Sequence, residues 1–210
     1  MRYTTVAGLL AGLAALAGCG ASNTAAPPLT LEQDAALFQT RGAERGTPKR
    51  LPERFTDATG REIDLAAYRG KSNVVLVVVK GFSPKYQAFC PGCLAQVGSL
   101  VNHYDEFQAR GAEVLLVFPG ARDTLDPYLR SSRVDGAGGN PKVPFPILLD
   151  PKLEAVEALG VRSELANPST FILDRKGDVV FGYVGSMNDN YDRPSVKALL
   201  AQLDKINDAK

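Results

Sequence analysis

Two continuous apolar runs, Asn73–Gly81 (NVVLVVVKG) and Ala112–Gly120 (AEVLLVFPG), constrain the fold more than any other feature of this chain. Neither alternates polar with apolar residues. Each is rich in branched aliphatics, the mark of a strand buried on both faces. Between them Leu94, Val97, Leu100, Val101, Tyr104 and Phe107 recur at helical spacing, and Gly111 lies just past their end. Upstream, Arg54–Lys71 places a Gly60 turn between two short alternating segments, a hairpin signal. Downstream come a helix around Pro127, a Gly- and Pro-rich loop (DGAGGNPKVPFP), the strand ILLD and a helix (PKLEAVEALG) closed by Gly160. A second hairpin turns at Lys176-Gly177 (STFILDRKGDVVFGYVG), and an amphipathic helix beginning at Pro194 ends the chain. Strands that alternate with helices and finish in a hairpin predict an α/β sandwich with a central mixed sheet flanked by helices.

The N-terminus reads differently. Arg2 precedes an apolar run, Val6–Gly18, that is too short to span a bilayer, which takes about 20 residues. It fits a secretory signal, residues 1–18. Leu16-Ala17-Gly18-Cys19 resembles the bacterial lipobox, which implies a lipidated Cys19, a membrane anchor and a periplasm-facing cell-envelope protein. Gly20 stands where aspartate would retain such a protein at the inner membrane, so the outer membrane is the expected destination. Residues 19–51, rich in Ala, Pro and Thr with one helix-like stretch (LEQDAALF), read as a tether. Residues 52–210 are then the folded domain. Without Arg2 the chain balances 23 cations (24 less one) against 23 acidic residues and holds no basic run, which argues against a nucleic-acid partner.

With Cys19 assigned to lipid, Cys90 and Cys93 in "FCPGCLAQ" are the remaining thiols. Cys90 falls at or just before a helix start, where Pro91 suits the first position. Free backbone N–H groups and the positive helix end then favour its thiolate. Cys93, one turn on, points back towards the core. That divides the labour: Cys90 attacks and Cys93 resolves, with Phe89, Pro91 and Gly92 completing the motif. A zinc site needs about four ligands, and the chain adds only His103 to the two thiols. A structural disulfide would close a ring of only four residues and staple little chain. Redox chemistry by the dithiol itself, with no further cofactor, is the leading reading, ahead of a structural disulfide and of a metal site. Lys80 and Lys85 flank the site and could lower the Cys90 pKa further, but such lysines are more often merely solvated, and they stand outside the catalytic set.

In order, "FTDATGREIDLAAYRGKSNVVLVVV", "FCPGCLAQVGSLVNHYDEFQARGAEVLLVFPG", "VPFPILLDPKLEAVEALGV" and "PSTFILDRKGDVVFGYVG" resemble the blocks of the redoxin group. That group comprises the alkyl hydroperoxide reductase/thiol-specific antioxidant proteins and membrane-anchored thioredoxin-like proteins. The resemblance covers about Phe55–Asn207 and implies a thioredoxin-like fold with an N-terminal β-hairpin extension. It also implies that Pro168 is a cis-proline opposite the cysteines, with the backbone of Asn167 exposed to pair with substrate. The peroxiredoxin pattern Pro-x-x-x-Thr-x-x-Cys is broken here: Pro84 is six residues before Cys90, and Gln87 replaces the hydroxyl residue.

Three functions follow from these readings. The leading one is a thiol–disulfide oxidoreductase acting on protein thiols or disulfides, with an unidentified thiol donor or acceptor. The alternative is a peroxiredoxin-like thiol peroxidase acting through Cys90. The third is a metal-delivery binding module.

Overall fold

The computed structural model describes residues 29–38, 48–132, 142–186 and 189–209. The expected signal peptide, Cys19, most of the tether and the first part of the Gly/Pro loop lie outside them. Among the described residues no helix is long and apolar enough to cross a membrane.

A seven-stranded mixed sheet forms the centre. The apolar runs become β3 (Asn73–Val78) and β6 (Ala112–Pro119), paired in parallel from Asn73↔Ala112 to Val78↔Val117. The strand β7 (Ile147–Asp150) extends this parallel block beyond β6. On one side the hairpin β1 (Arg54–Asp57) and β2 (Glu62–Asp64) joins β7 antiparallel, turning at Gly60 with φ +87°. On the other, β8 (Ser169–Leu173) and β9 (Val179–Val184) pair antiparallel onto β3, giving the order β2-β1-β7-β6-β3-β8-β9. A small hairpin outside this sheet, β4 (Phe82–Ser83) with β5 (Ala88–Phe89), was not legible in the sequence because each strand has only two residues.

Period-two alternation in β3 and β6 divides the core. Val75, Val77, Val114, Leu116 and Phe118 face one cluster, while Val74, Leu76, Val78, Leu115 and Val117 face the other. Helix α5 (Glu154–Leu159) packs on the second face. On the first lie α2 (Pro91–Asn102), α3 (Tyr104–Ala109), α4 (Leu125–Ser131) and α6 (Val196–Asp208). Fully burying each such Val or Leu stabilises the fold by about 1.5–3 kcal/mol, so both runs are anchored from two sides.

The periodic stretch after Cys90 forms two helices instead of one. They break at His103 (φ −115°, ψ 20°), and neither glycine nor proline there signals the interruption. The helix-like stretch of the tether is also more than tether. Its residues form α1 (Leu31–Leu37), opened by a Thr30–Gln33 capping box, and pack against α6.

Candidate redox site

The cysteines sit at the start of α2, directly after the small β4–β5 hairpin that follows the buried strand β3. Cys90 is the N-cap of α2, Pro91 is its first residue, and both sulfurs are free thiols. Cys93 is fully buried, as the helical spacing predicts. The Lys80 backbone N–H, just past β3, donates to the Cys93 sulfur at 3.3 Å. Behind the pair an aromatic wall forms: Tyr128 of α4 stands 5.3 Å from Phe89 and 5.1 Å from Phe118, centroid to centroid.

The decisive residue is Arg193, in the segment that links β9 to α6. Its side chain is 1% exposed, and its guanidinium reaches both sulfurs. Nη1 lies 3.2 Å from Cys93 Sγ and 3.3 Å from Gln96 Oε1, and Nη2 lies 3.6 Å from Cys90 Sγ. Its Nε finds no hydrogen-bond partner among the described residues. A guanidinium this deeply buried needs an anion, since desolvating an unpaired charge costs several kcal/mol. Of the described groups it touches, only the sulfurs can supply one.

The two thiols are accordingly driven apart. Cys90 is held down at about 5 by hydrogen bonding from the Cys93 thiol, by the Arg193 charge and by the Cys93 backbone N–H, which together outweigh burial. Cys93 is pushed well above the ordinary thiol range, first by burial and then by its role as donor to Cys90. For Arg193 burial pulls the other way, yet the sulfurs raise its pKa and keep it charged.

Residues 189–195 cover this pair. Asn190 Oδ1 lies 3.6 Å from Cys90 Sγ, and Cys90 is only 7% exposed. A Cβ at Gly92 would overlap the Asn190 carbonyl, which gives the glycine of the Cys-Pro-Gly-Cys motif a steric reason. The cover is pinned behind: Asp192 accepts from the Tyr183 hydroxyl and from Ser186 N at 2.9 Å.

Two expectations, at Pro168 and Asn167, need correction. The Asn167–Pro168 peptide bond is trans. Pro168 is buried and its carbonyl accepts from Gly185 N at 2.8 Å; Asn167 N donates to Val161 O at 2.8 Å, and Asn167 O accepts from Ser169 Oγ at 2.9 Å. The backbone meant for an incoming strand is thus already engaged, although Ser169 opposite Val78 does place it at the sheet end where the cysteine segment leaves. The amines of Lys80 and Lys85 sit over the Tyr86 ring, at 5.6 and 5.1 Å from its centroid, and the cation bonded to the sulfurs is Arg193 instead. Gln87, at φ +49°, turns its amide to the Pro84 carbonyl and stays exposed. His103 stands at the far end of α2 with Nε2 2.9 Å from Leu29 O.

Arg193, Asn190 and Gln96 escaped the sequence reading. One signal was present: a cation just ahead of a helix N-terminus opposes the macrodipole, so Arg193 needed some other partner.

A dithiol at the start of a helix, on a mixed sheet of this topology, defines a thioredoxin-like redox protein. Residues 47–181 match the AhpC/TSA family, and the chain belongs to it. The match ends before Arg193. Among curated relatives, the thiol-disulfide oxidoreductase ResA of Halalkalibacterium halodurans is 26% identical over 73% of this chain and 76% of its own length. The chloroplastic peroxiredoxin Q of Sedum lineare is 28% identical over 63% of this chain and 66% of its own. Among solved structures, Xanthomonas campestris peroxiredoxin Q aligns with TM-score 0.54 at 20% identity, over 72% of this chain and 89% of that one. The mitochondrial 2-Cys peroxiredoxin of Plasmodium falciparum aligns with TM-score 0.57 at 17% identity, over 80% and 93%. These likenesses agree on the fold.

Proposed function

We propose that the chain is a thiol–disulfide oxidoreductase whose working group is the Cys90–Cys93 dithiol. One observation carries this: two buried free thiols at the start of α2 share one buried guanidinium, 3.2 Å from Cys93 Sγ and 3.6 Å from Cys90 Sγ. That arrangement holds Cys90 down at about 5 and leaves the more deeply buried Cys93 well above its usual range. Cys90 is then the nucleophile at neutral pH. Its thiolate attacks one sulfur of a substrate disulfide, and the other sulfur leaves as thiolate. Cys93 next gives up its proton and attacks Cys90, which closes the Cys90–Cys93 disulfide and frees the second substrate thiol. A reductant of dithiol class returns the pair to thiols. Because Arg193 stabilises the reduced form, the pair is expected to be more oxidising than thioredoxin's, above its roughly −270 mV. With a substrate dithiol the same steps then run in reverse, and the Cys90–Cys93 disulfide is reduced as the substrate is oxidised.

Peroxide reduction is the second reading, and the closed site favours it. With Asn190 over it Cys90 is only 7% exposed, a cover that hinders a protein segment more than a small peroxide, and the guanidinium can stabilise charge growing on a leaving oxygen. There Cys90 would displace water or alcohol from the peroxide to give a sulfenic acid, which Cys93 condenses to the disulfide with loss of water. Stopped-flow mixing of the reduced protein with a peptide disulfide and, separately, with hydrogen peroxide separates the two. Disulfide exchange that is the faster reaction and vanishes in Cys90→Ser supports the proposal. Peroxide consumed faster than the disulfide moves the assignment to peroxidase, and inertness towards both removes it.

A further inference from the structure

Five buried polar residues form a continuous seam along one face of α2. Cys93, Gln96 and Ser99 succeed one another at three-residue spacing, each 2% exposed or less. Arg193 binds the first two, and Asp34 of α1, 0% exposed, binds the third: its Oδ1 accepts from the Ser99 hydroxyl. Asp34 Oδ2 accepts from Val196 N at 2.6 Å, so this carboxylate also caps the first turn of α6, three residues after Arg193. Four more contacts seat the same segment. Phe38 packs on Tyr191 at 6.1 Å between centroids, Leu29 O meets His103 Nε2 at 2.9 Å, Glu32 pairs with Lys197 at 3.3 Å, and α1 runs against α6. The seating is therefore on both sides of Arg193, at Tyr191 and at Val196.

We infer that Asp34 is a positioning residue of the redox site: by tying α2 to the start of α6 it holds the Arg193 guanidinium against Cys90 and Cys93. This rests on the dithiol reading above. The segment Thr30–Phe38, ahead of the family match, then belongs to the machinery, and releasing it lowers the reactivity of Cys90.

The sign of the effect separates positioning from simple charge. Burial raises the Asp34 pKa above the ordinary carboxylate range; whenever it is ionised it opposes the Cys90 thiolate through space, so deleting it would ease thiolate formation or leave it unchanged. Loss of positioning does the reverse. The charged and titratable groups concerned are Arg193, Cys93 and Tyr128 around Cys90, and His103, Lys197 and Glu32 around Asp34.

The test uses the full-length reduced protein. Alkylation of Cys90 by iodoacetamide is followed against pH, and the modified residue is located by mass spectrometry. Asp34→Ala is expected to raise the midpoint by about one unit, slowing alkylation at pH 5 roughly fivefold. Asp34→Asn can still accept from Val196 N and is expected to stay within a few tenths of a unit. A folded Asp34→Ala protein whose midpoint is unchanged or lower overturns the inference. Should Asp34→Ala not fold, Phe38→Ala replaces it, with a smaller rise expected and no rise counting against. Arg193→Met keeps the two levels apart. If it leaves the midpoint unchanged, the Arg193 reading of the site fails; if it raises the midpoint while Asp34→Ala does not, only the role of Asp34 fails.

Discussion

Two segments close in on the cysteines, and they use their polar groups in opposite ways. Around Asn167–Pro168 the backbone satisfies itself, through Val161, Ser169 and Gly185, and offers nothing to the sulfurs. Residues 189–195 send a buried guanidinium and an amide oxygen onto the pair and lay the Asn190 carbonyl against Gly92. The first lies inside the stretch matched to the family and the second outside it. The difference teaches that this fold places the dithiol, while a neighbouring loop tunes it. A self-satisfied turn contributes packing; a charge that has given up water contributes reactivity, because only the sulfurs balance it.

That contrast can be broken from either side. Arg193→Met should have the largest effect. Removing an opposite charge at this distance raises an acidic pKa by about 1–3 units, so thiolate at pH 5 falls by at least roughly fivefold, read as alkylation rate. Gly92→Ala comes next. Alanine in place of glycine in a helix ordinarily gains about 0.8–1 kcal/mol. Here the new Cβ displaces the Asn190 carbonyl, so a loss of about 1–3 kcal/mol is expected, as for an overpacked core. At about 2–4 °C per kcal/mol in a chain of this size, the melting temperature shows it. A rise in melting temperature would mean that residues 189–195 do not rest on α2. Pro168→Ala should do least: disulfide exchange within about twofold of wild type, and a Cys90 midpoint moved by less than about 0.3 unit, which is under ~0.5 kcal/mol. A tenfold loss of exchange would restore Pro168 as a substrate-binding residue.

The sequence showed the parts that follow from local pattern. Branched apolar runs marked β3 and β6, Gly60 and Gly177 marked the hairpin turns, and Pro91 beside Cys90 marked the start of α2. Cys93 facing inward followed from helical spacing. What stayed hidden depends on contacts between residues far apart in the chain. Arg193 meets Cys93 across 100 positions, and Asp34 meets Val196 across 162. Nothing within either residue's own segment identifies the partner, even where the place of Arg193 ahead of a helix N-terminus shows that one is needed. The helix break at His103 and the two-residue strands β4 and β5 were hidden for another reason: each is shorter than the period that would reveal it.

The most direct test of this account is the pH titration of Cys90 in the reduced wild-type protein, followed by thiolate absorbance with Cys93 distinguished through Cys90→Ser. The buried Arg193 and the Cys93 donor predict a midpoint near 5, with Cys93 remaining a thiol well beyond pH 9. A midpoint close to the ordinary cysteine value of about 8.5 would contradict it, because the guanidinium would then lie against two neutral thiols and could not be what sets their reactivity.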